Sequence, residues 1–457
     1  MTPFPFPMRF PLPARPRRQA PRAGSALLIG LLGLPVLAAP ARAEVDRRPS
    51  PALPPLAGVK PAATATLPSQ PPGLGLPTLE NRVSCPALQQ RIATTVGQEA
   101  SVWSISVADG SGRLLADLNG TTPRVPASNQ KLVTTAFALH RLGPDHRLAT
   151  QLWRLNDGTL RLTGQGDPDL APTHLRRFAR LAMASRSGSD AANPTVRLEV
   201  AEESRQNWWP SDWAWADRSY AYGAPITRLA LMSNETQPAL GNPPSHLVNL
   251  LQRALAAEGS RARVTLVSAR QPMPAEAVLV HEEPSTSMHG LLSLANTESH
   301  NFTAEVLLRQ ASGSWDVTQA SRTATLWLRE QGLPMQGIRV ADGSGLSRSN
   351  RLTSRFLAAL LLRMDHHPYG RAYLGSMAVA GQRGTLRNLY KGSSLDGRLF
   401  AKTGTLTGVR SISGVLRTSD GPRYVSAIAN GAWAPNTTIG KVMRQVQNVS
   451  LCGAVGS

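Results

Sequence analysis

The sequence predicts a mixed α+β fold whose framework is split by a β-rich insert, and three observations carry that reading. First, Trp103-Ser-Ile-Ser-Val107 alternates apolar and polar residues, Asp109-Gly110 is a turn signal, and Leu114 to Leu118 continues the pattern, so the segment reads as a β-hairpin. Second, another hairpin is predicted far downstream, where Ser411 to Leu416 and Tyr424 to Ile428 flank Asp420-Gly421-Pro422. Third, the texture changes between about Thr150 and Val280. Short β-like runs (Leu160 to Leu162, Val196 to Val200, Val264 to Val267) gather there around a tryptophan-rich patch at Trp208, Trp209, Trp213 and Trp215. Length agrees, since 457 residues exceed one ordinary core.

Taken in order, the chain begins with the features of an export signal. Arg15, Arg17, Arg18 and Arg22 form a basic region, Ser25 to Ala39 is apolar, and Ala41-Arg42-Ala43 is a small-x-small site before Glu44. The apolar stretch contains Pro35 and falls short of the roughly 20 residues a spanning helix needs. A cleaved signal over 1–43 and periplasmic export are therefore expected, with an uncleaved anchor as the alternative. Residues 44–80 are rich in Pro and Ala without periodicity and read as a linker. The remainder divides into 81–149, the first part of the main domain, 150–280, the insert, and 281–450, the second part. Pro86 to Ile92 is predicted helical. Leu132, Ala136 and Leu139 recur at helical spacing, which makes a buried helix with Ser128 at its start. Ser287 to Gln310 is amphipathic and reads as helix, Gly337 to Arg348 as loop, and Thr438 to Val449 as a closing helix.

The formal charge of +20 invites a nucleic-acid reading, but the pattern excludes it. Six of the arginines precede Glu44, and the others are interspersed with Asp and Glu, without an arginine-rich run or zinc-finger spacing. A basic surface also suits an envelope polyanion, so peripheral association with membrane or wall is an expectation. The two cysteines, Cys85 and Cys452, sit near the ends of the ordered chain. An even pair in an exported protein reads as one disulfide, with two free thiols as the alternative. Without CxxC, HExxH or clustered histidines, no metal or other cofactor is expected. His366-His367 precedes Pro368 and reads as a surface turn.

Lysine is the informative residue. The chain holds five, Lys60, Lys131, Lys391, Lys402 and Lys441, against 44 arginines. Arginine stays charged, whereas a desolvated lysine can lose its proton and act as a base. Lys131 follows Ser128 by three residues, which on a helix puts both side chains on one face. A lysine there can take the seryl proton; the bland alternative is a cap serine followed by a surface lysine. Lys402-Thr403-Gly404 starts a strand-like run that continues into Thr405. Its cation and hydroxyl suit a carboxylate, and its glycine admits a second backbone. In Ser299-His300-Asn301 a hydroxyl able to relay a proton and a carboxamide able to bond a peptide group flank His300, to which no role is assigned.

In that order, S-x-x-K, S-x-N and K-T-G are the signature of penicillin-recognising serine enzymes. Pro126-Ala-Ser-Asn-Gln-Lys131, Leu142-Gly-Pro, Gly164-Gln-Gly-Asp-Pro168, Tyr222-Gly-Ala-Pro225, Asn301-Phe-Thr-Ala-Glu305, Asp342-Gly-Ser-Gly-Leu-Ser-Arg348 and Gly381-Gln-Arg-Gly-Thr-Leu386 narrow it further. Together they resemble the class C low-molecular-mass penicillin-binding proteins, the S13 D-alanyl-D-alanine carboxypeptidases and endopeptidases, over about Cys85 to Val449. The resemblance implies a β-lactamase/transpeptidase-like domain, an antiparallel sheet flanked by helices, assembled around the insert. It implies Ser128, Lys131 and Ser299 as catalytic residues, with Asn301, Lys402, Thr403, Gly404 and Thr405 binding substrate and the Thr405 N–H helping to hold an oxyanion. It implies a peptidoglycan peptide as substrate and β-lactams as inhibitors. DD-endopeptidase activity on cross-links, or a non-catalytic wall-binding role, are the alternatives. His300 stands where the family often has Asp or Asn.

Overall fold

The computed structural model describes residues 77–185 and 195–452. The predicted signal segment and almost all of the predicted linker lie outside the described residues. The chain opens with α1 (Pro86–Val96), the hairpin β1 (Trp103–Asp109) and β2 (Leu114–Leu118), and α2 (Gln130–Leu142). The insert follows, as β3 (Ala149–Arg154), β4 (Leu160–Gly164), α3 (Pro172–Ala184), β5 (Thr195–Glu202), α4 (Pro243–Ala257), β6 (Arg261–Ser268) and β7 (Val278–Pro284). The chain then forms α5 (Met288–Asn296), α6 (Asn301–Ser312), α7 (Val317–Glu330), α8 (Ser354–Asp365), α9 (Gly370–Gly375) and β8 (Ala378–Val379). It closes with β9 (Leu399–Leu406), β10 (Val409–Thr418), β11 (Gly421–Asn430) and α10 (Pro435–Gln447).

Six strands make the main sheet in the order β2-β1-β11-β10-β9-β8, with antiparallel neighbours throughout. The early hairpin joins the sheet through β11, pairing Trp103 with Ala429 and Val107 with Val425, so the two ends of the described chain share one sheet. Alternation then decides which residues face which way. Trp103, Ile105, Val107, Val425, Ala427, Leu399 and Ala401 pack under α1 and α10 in one core. The opposite face carries Tyr424, Ile428 and Val415, which join the core of α2, α5, α6, α7 and α8. Cys85 and Cys452 are disulfide-bonded, with Cα atoms 5.1 Å apart, and tie the start of α1 to the end of the described chain.

The insert contributes its own five-stranded sheet, β6-β5-β4-β3-β7, antiparallel at β3 and parallel along β4-β5-β6. Leu152, Leu162, Leu198, Val200, Phe178, Leu247 and Leu251 form its separate core, with α3 and α4 on one face. It is fastened to the main domain at α6. Gln310 Nε2 donates to Gln165 O at 2.7 Å, and Gly166, at φ +89°, passes so close to Val306 that a Cβ there would lie 2.7 Å from it.

The amphipathic run over Ser287 to Gln310 departs from expectation: it forms two helices, not one. α5 ends at Asn296 and α6 begins at Asn301. Between them Ser299 takes a left-handed backbone, φ 63°. Apolar spacing reads through this break because neither Gly nor Pro marks it.

Candidate active site

Ser128 sits in a short 3-10 turn, Ala127–Asn129, that leads directly into α2. The turn lies against the main sheet because the sheet is thin at that point. Gly404, Ser411 and Ser413 occupy adjacent β9 and β10 positions, with Gly404 paired to Ser411 and Lys402 to Ser413. Ser411 Oγ donates to Pro126 O at 2.6 Å, and the Asn129 carboxamide reaches Lys402 O at 2.8 Å and Ser413 Oγ at 2.7 Å. A Cβ on Gly404 would stand 2.8 Å from Pro126 O and 3.0 Å from the Ser128 nitrogen, so only glycine lets the strand run here. On the other side Gly345, at φ +84°, allows its loop to touch the Ala127 carbonyl. Ala127 itself is left-handed, φ 49°, which costs about 1–2 kcal/mol for a non-glycine residue.

Lys131 is fully buried in the first turn of α2. Its Nζ lies 3.1 Å from Ser128 Oγ, 2.6 Å from Asn301 Oδ1 and 2.7 Å from Ser344 O. As an ammonium it donates to all three. As a neutral amine it keeps two protons for Asn301 and Ser344 and turns its lone pair to the Ser128 hydroxyl. Burial pushes the Lys131 ammonium down to about 7, against the upward pull of Asp342, Glu305 and Glu235. Both forms are therefore accessible near neutrality.

Lys402 is also fully buried, and its Nζ donates to Thr403 O at 2.9 Å. Burial first, and then the charge of Lys131, hold it well below the ordinary lysine range. The surface above it is made of hydroxyls, Thr403 Oγ1 donating to Thr385 Oγ1 at 2.7 Å. Thr405 is exposed and pairs with Arg410 in the strand register. Asn301 opens α6, and its Nδ2 donates to Tyr222 O at 2.8 Å. Ser299 is half-buried on the preceding turn, and among the described residues it makes no side-chain hydrogen bond. Ser128, Lys131 and Asn301 are thus joined directly, Gly404 borders them, and the charge of Lys131 acts on Lys402.

A second ring of residues holds these in place. Glu305, fully buried on α6, accepts from the Gly343 and Ser344 nitrogens at 2.9 Å each and from Arg309 Nη1 at 2.7 Å. Burial and Asp342 raise its carboxyl, and Arg309 opposes them. Asp342 accepts from the Gly345 and Ser347 nitrogens and from Trp213 Nε1 at 2.9 Å. These bonds fix the loop whose Ser344 carbonyl receives Lys131. Trp213 and Tyr222 both belong to the insert segment, so the insert forms part of the wall of the site.

A family model, that of the D-Ala-D-Ala carboxypeptidase 3 (S13) family, matches residues 88–245 and 238–449. The chain belongs to the S13 family. Among curated relatives, it is 26% identical to a D-alanyl-D-alanine carboxypeptidase of Actinomadura, over 93% of this chain and 90% of the relative. It is 28% identical to Carboxypeptidase DacB of Mycolicibacterium smegmatis, over 96% of this chain and 100% of the relative. The crystal structure of penicillin-binding protein 4 from Haemophilus influenzae superposes with a TM-score of 0.66 at 18% identity. That match covers 79% of this chain and 98% of the other, and it establishes the shared fold. The fold is α+β, an antiparallel sheet flanked by helices, and it is shared with that penicillin-binding protein, as the resemblance implied.

Several residues of the candidate site were given no role from the sequence. Glu305 closes a quoted segment, Asn301-Phe-Thr-Ala-Glu305, but it was given no role, and only packing reveals that it and Arg309, four residues on, are both buried. Asn129, next to the nucleophile candidate, has no motif that marks its bond to β9. His300, to which no role was assigned, pairs with Glu235 at 2.8 Å. The His366-His367 turn does close α8, with His366 exposed, but His367 Nε2 turns inward to His140 Nδ1 at 3.0 Å.

Proposed function

We propose that this chain is an exported serine D-Ala-D-Ala carboxypeptidase that acts on peptidoglycan stem peptides through an acyl-enzyme on Ser128 and is inhibited by β-lactams. One observation carries the reading: a fully buried Lys131, with two of its protons committed to Asn301 and Ser344, faces Ser128 Oγ at 3.1 Å. The neutral amine has one place to direct its lone pair, the hydroxyl that must be deprotonated.

In this mechanism Ser128 Oγ attacks the carbonyl between two D-Ala residues as its proton passes to Lys131. The oxyanion is held by the Ser128 and Thr405 N–H groups at the junction of α2 and β9. Collapse breaks the C–N bond. The proton moves from Lys131 by way of Ser299 to the leaving amine, and D-Ala departs. Water then attacks the ester, giving back its proton to Ser128 and releasing the shortened peptide. Asn301 has a second Nδ2 proton for the substrate amide, beyond the one given to Tyr222 O. Thr403 meets the terminal carboxylate at the surface, with Lys402 beneath it. The arriving anion favours the Lys402 ammonium, supplying the counter-charge that the buried amine otherwise lacks.

Export is supported by the Cys85–Cys452 disulfide, which fits an oxidising compartment, and by the basic and apolar character of residues 1–43. Among the described residues no helix is long and apolar enough to cross a membrane. The basic surface supports loose association with the anionic wall.

Mass spectrometry after penicillin treatment tests the proposal. The expected result is a single adduct on Ser128, absent from Ser128→Ala, and D-Ala released from pentapeptide. Unlabelled intact protein, or equal labelling of the Ser128→Ala variant, would sink it. Cleavage of cross-linked muropeptide with pentapeptide left intact would instead assign the same residues to a DD-endopeptidase.

A further inference from the structure

Ser299 lies on a turn that has little reason of its own to hold its shape. Its backbone is left-handed, φ 63°, and its hydroxyl has no hydrogen-bond partner among the described residues. The turn is fixed by its neighbours. On the main-domain side, the His300 nitrogen donates to Leu294 O at 2.9 Å, and Thr297 Oγ1 to Ser376 O at 2.7 Å. Lys131 Nζ adds its bond to Asn301 Oδ1 at 2.6 Å, and the Thr385 nitrogen donates to Thr297 O at 3.1 Å. The insert adds two more attachments. Asn301 Nδ2 donates to Tyr222 O, and His300 Nε2 meets Glu235 Oε1 at 2.8 Å.

The imidazole between Ser299 and Asn301 is fully engaged. Its Nδ1 lies 2.7 Å from Thr303 Oγ1. With the proton on Nε2, the ring donates to Glu235 and accepts from the Thr303 hydroxyl, so both nitrogens are satisfied at once. The pair is mostly shielded, with side-chain exposures of 19% for His300 and 22% for Glu235.

Glu235 is presented by strained backbone. The three residues before it, Met232, Ser233 and Asn234, all have left-handed φ, at 49°, 58° and 57°. Three consecutive non-glycine residues in that region persist only when their surroundings over-determine them. Here they do. The Met232 nitrogen donates to Leu170 O, Ser233 Oγ to Pro168 O, and Asn234 Nδ2 to Pro225 O and Thr227 Oγ1. All these partners belong to the insert, and the carboxylate that this backbone presents reaches His300.

We propose that Glu235 and His300 are positioning residues: through this pair the insert fixes the turn that carries Ser299 and so sets the rate at which Ser128 is acylated. The inference rests on the acyl-enzyme reading above and gives the insert a catalytic purpose. The carboxylate has a second effect, since Glu235 is one of three acidic groups that act on the Lys131 charge, with Asp342 and Glu305, while Lys402 is its cationic neighbour.

The test is the acylation rate with a fluorescent penicillin across pH, with melting curves alongside. The protein is the full chain, as wild type, His300→Ala, Glu235→Ala, the double variant and Glu235→Gln. Each alanine variant is expected to slow acylation on the order of 10-fold, as displaced catalytic groups do. The double variant is expected to be no slower than the worse single, because one contact is lost either way. Glu235→Gln still accepts from the imidazole and recovers most of the rate lost in E235A. It also moves the acid limb to lower pH, because one anion favouring the Lys131 ammonium is gone. Alanine variants acylated at the wild-type rate, additive losses, or losses that only track the melting temperature would overturn the inference while the acyl-enzyme reading stands. Failure of the wild type to form the Ser128 adduct would overturn that reading instead.

Discussion

Lys131 Nζ is 3.1 Å from Ser128 Oγ in a site where the lysine is completely desolvated. Burial lowers its ammonium to about 7. A base works in its deprotonated form, so acylation is expected to climb as pH rises through about 7 and to fall away below it. Arginine at 131 keeps the positive charge but cannot shed its proton. Lys131→Arg should therefore slow acylation by roughly 10²- to 10⁴-fold at every pH, the span that general-base catalysis commands. Stopped-flow labelling with a chromogenic cephalosporin between pH 5 and 9 measures both effects. An acid limb unchanged in the variant would remove Lys131 from the base role.

Gly404 offers a steric prediction that does not depend on charge. A Cβ there would stand 2.2 Å from Ser411 Oγ, 2.8 Å from Pro126 O and 3.0 Å from the Ser128 nitrogen. The first contact can relax by rotating a hydroxyl. The other two are backbone and cannot. Gly404→Ala should push β9 off the Ser128 turn, destabilising the protein by about 1–3 kcal/mol, as overpacking does. Acylation should suffer far more than stability, because the displaced strand also carries Thr403 and Thr405. Melting curves read with penicillin labelling would separate the two, and normal labelling would contradict the geometry.

Glu305 predicts the reverse balance. It is buried, accepts from two loop nitrogens, and neutralises Arg309 at 2.7 Å. Glu305→Ala leaves Arg309 an uncompensated buried charge, for which breaking such a pair costs about 3–5 kcal/mol. Replacing both residues with apolar side chains, as in Glu305→Leu with Arg309→Met, should recover much of that stability. It should not restore acylation, because the loop bearing Ser344 O still lacks its two acceptor bonds. Chemical denaturation and labelling of the single and double variants distinguish the contributions; restored acylation in the double variant would show that Glu305 serves only stability.

These cases explain which parts of the molecule could be read from its sequence. The Ser128–Lys131 relation is local: three residues apart on a predicted helix, it needs only helix geometry. The hairpins were legible because period-2 alternation and Gly turns are local too, and β1 and β10–β11 lie where that pattern put them. The burial and role of Glu305 were not legible even though its segment resembles the family's, since a glutamate four residues before an arginine is the usual mark of a solvated helix face, and its contacts come from the Gly343-Ser344 loop reached only in the fold. The break at Ser299 was hidden for the same reason. Its left-handed backbone is imposed by contacts to Leu294, Ser376 and the insert, not by a residue that prefers it. Glu235 lies 64 residues before Ser299 in a loop with no motif, so only the folded chain brings the two together.

The Cys85–Cys452 disulfide gives the last prediction, and its expected effect is on stability with the site left alone. It joins residues 367 apart, linking the start of α1 to the end of the described chain. Both neighbouring helices pack on the sheet face opposite Ser128 and Lys131, α1 through Leu88 and Ile92, α10 through Ile439 and Val442. The bond mainly restricts the unfolded chain, with a stabilisation typically of about 2–4 kcal/mol. Cys85→Ser with Cys452→Ser should therefore lower the unfolding free energy by that amount, shift the denaturation midpoint down accordingly and speed proteolysis of the chain ends. The penicillin acylation rate of the folded fraction should stay within about twofold, since among the described residues none near Ser128 depends on α1 or α10 for a hydrogen bond, and distant sites combine additively. The same shift should follow addition of dithiothreitol to the wild type and be absent in the double variant. A dithiothreitol effect that persisted without the two cysteines could not come from this bond, and a collapse of acylation in the folded double variant would mean that the two faces of the sheet are coupled.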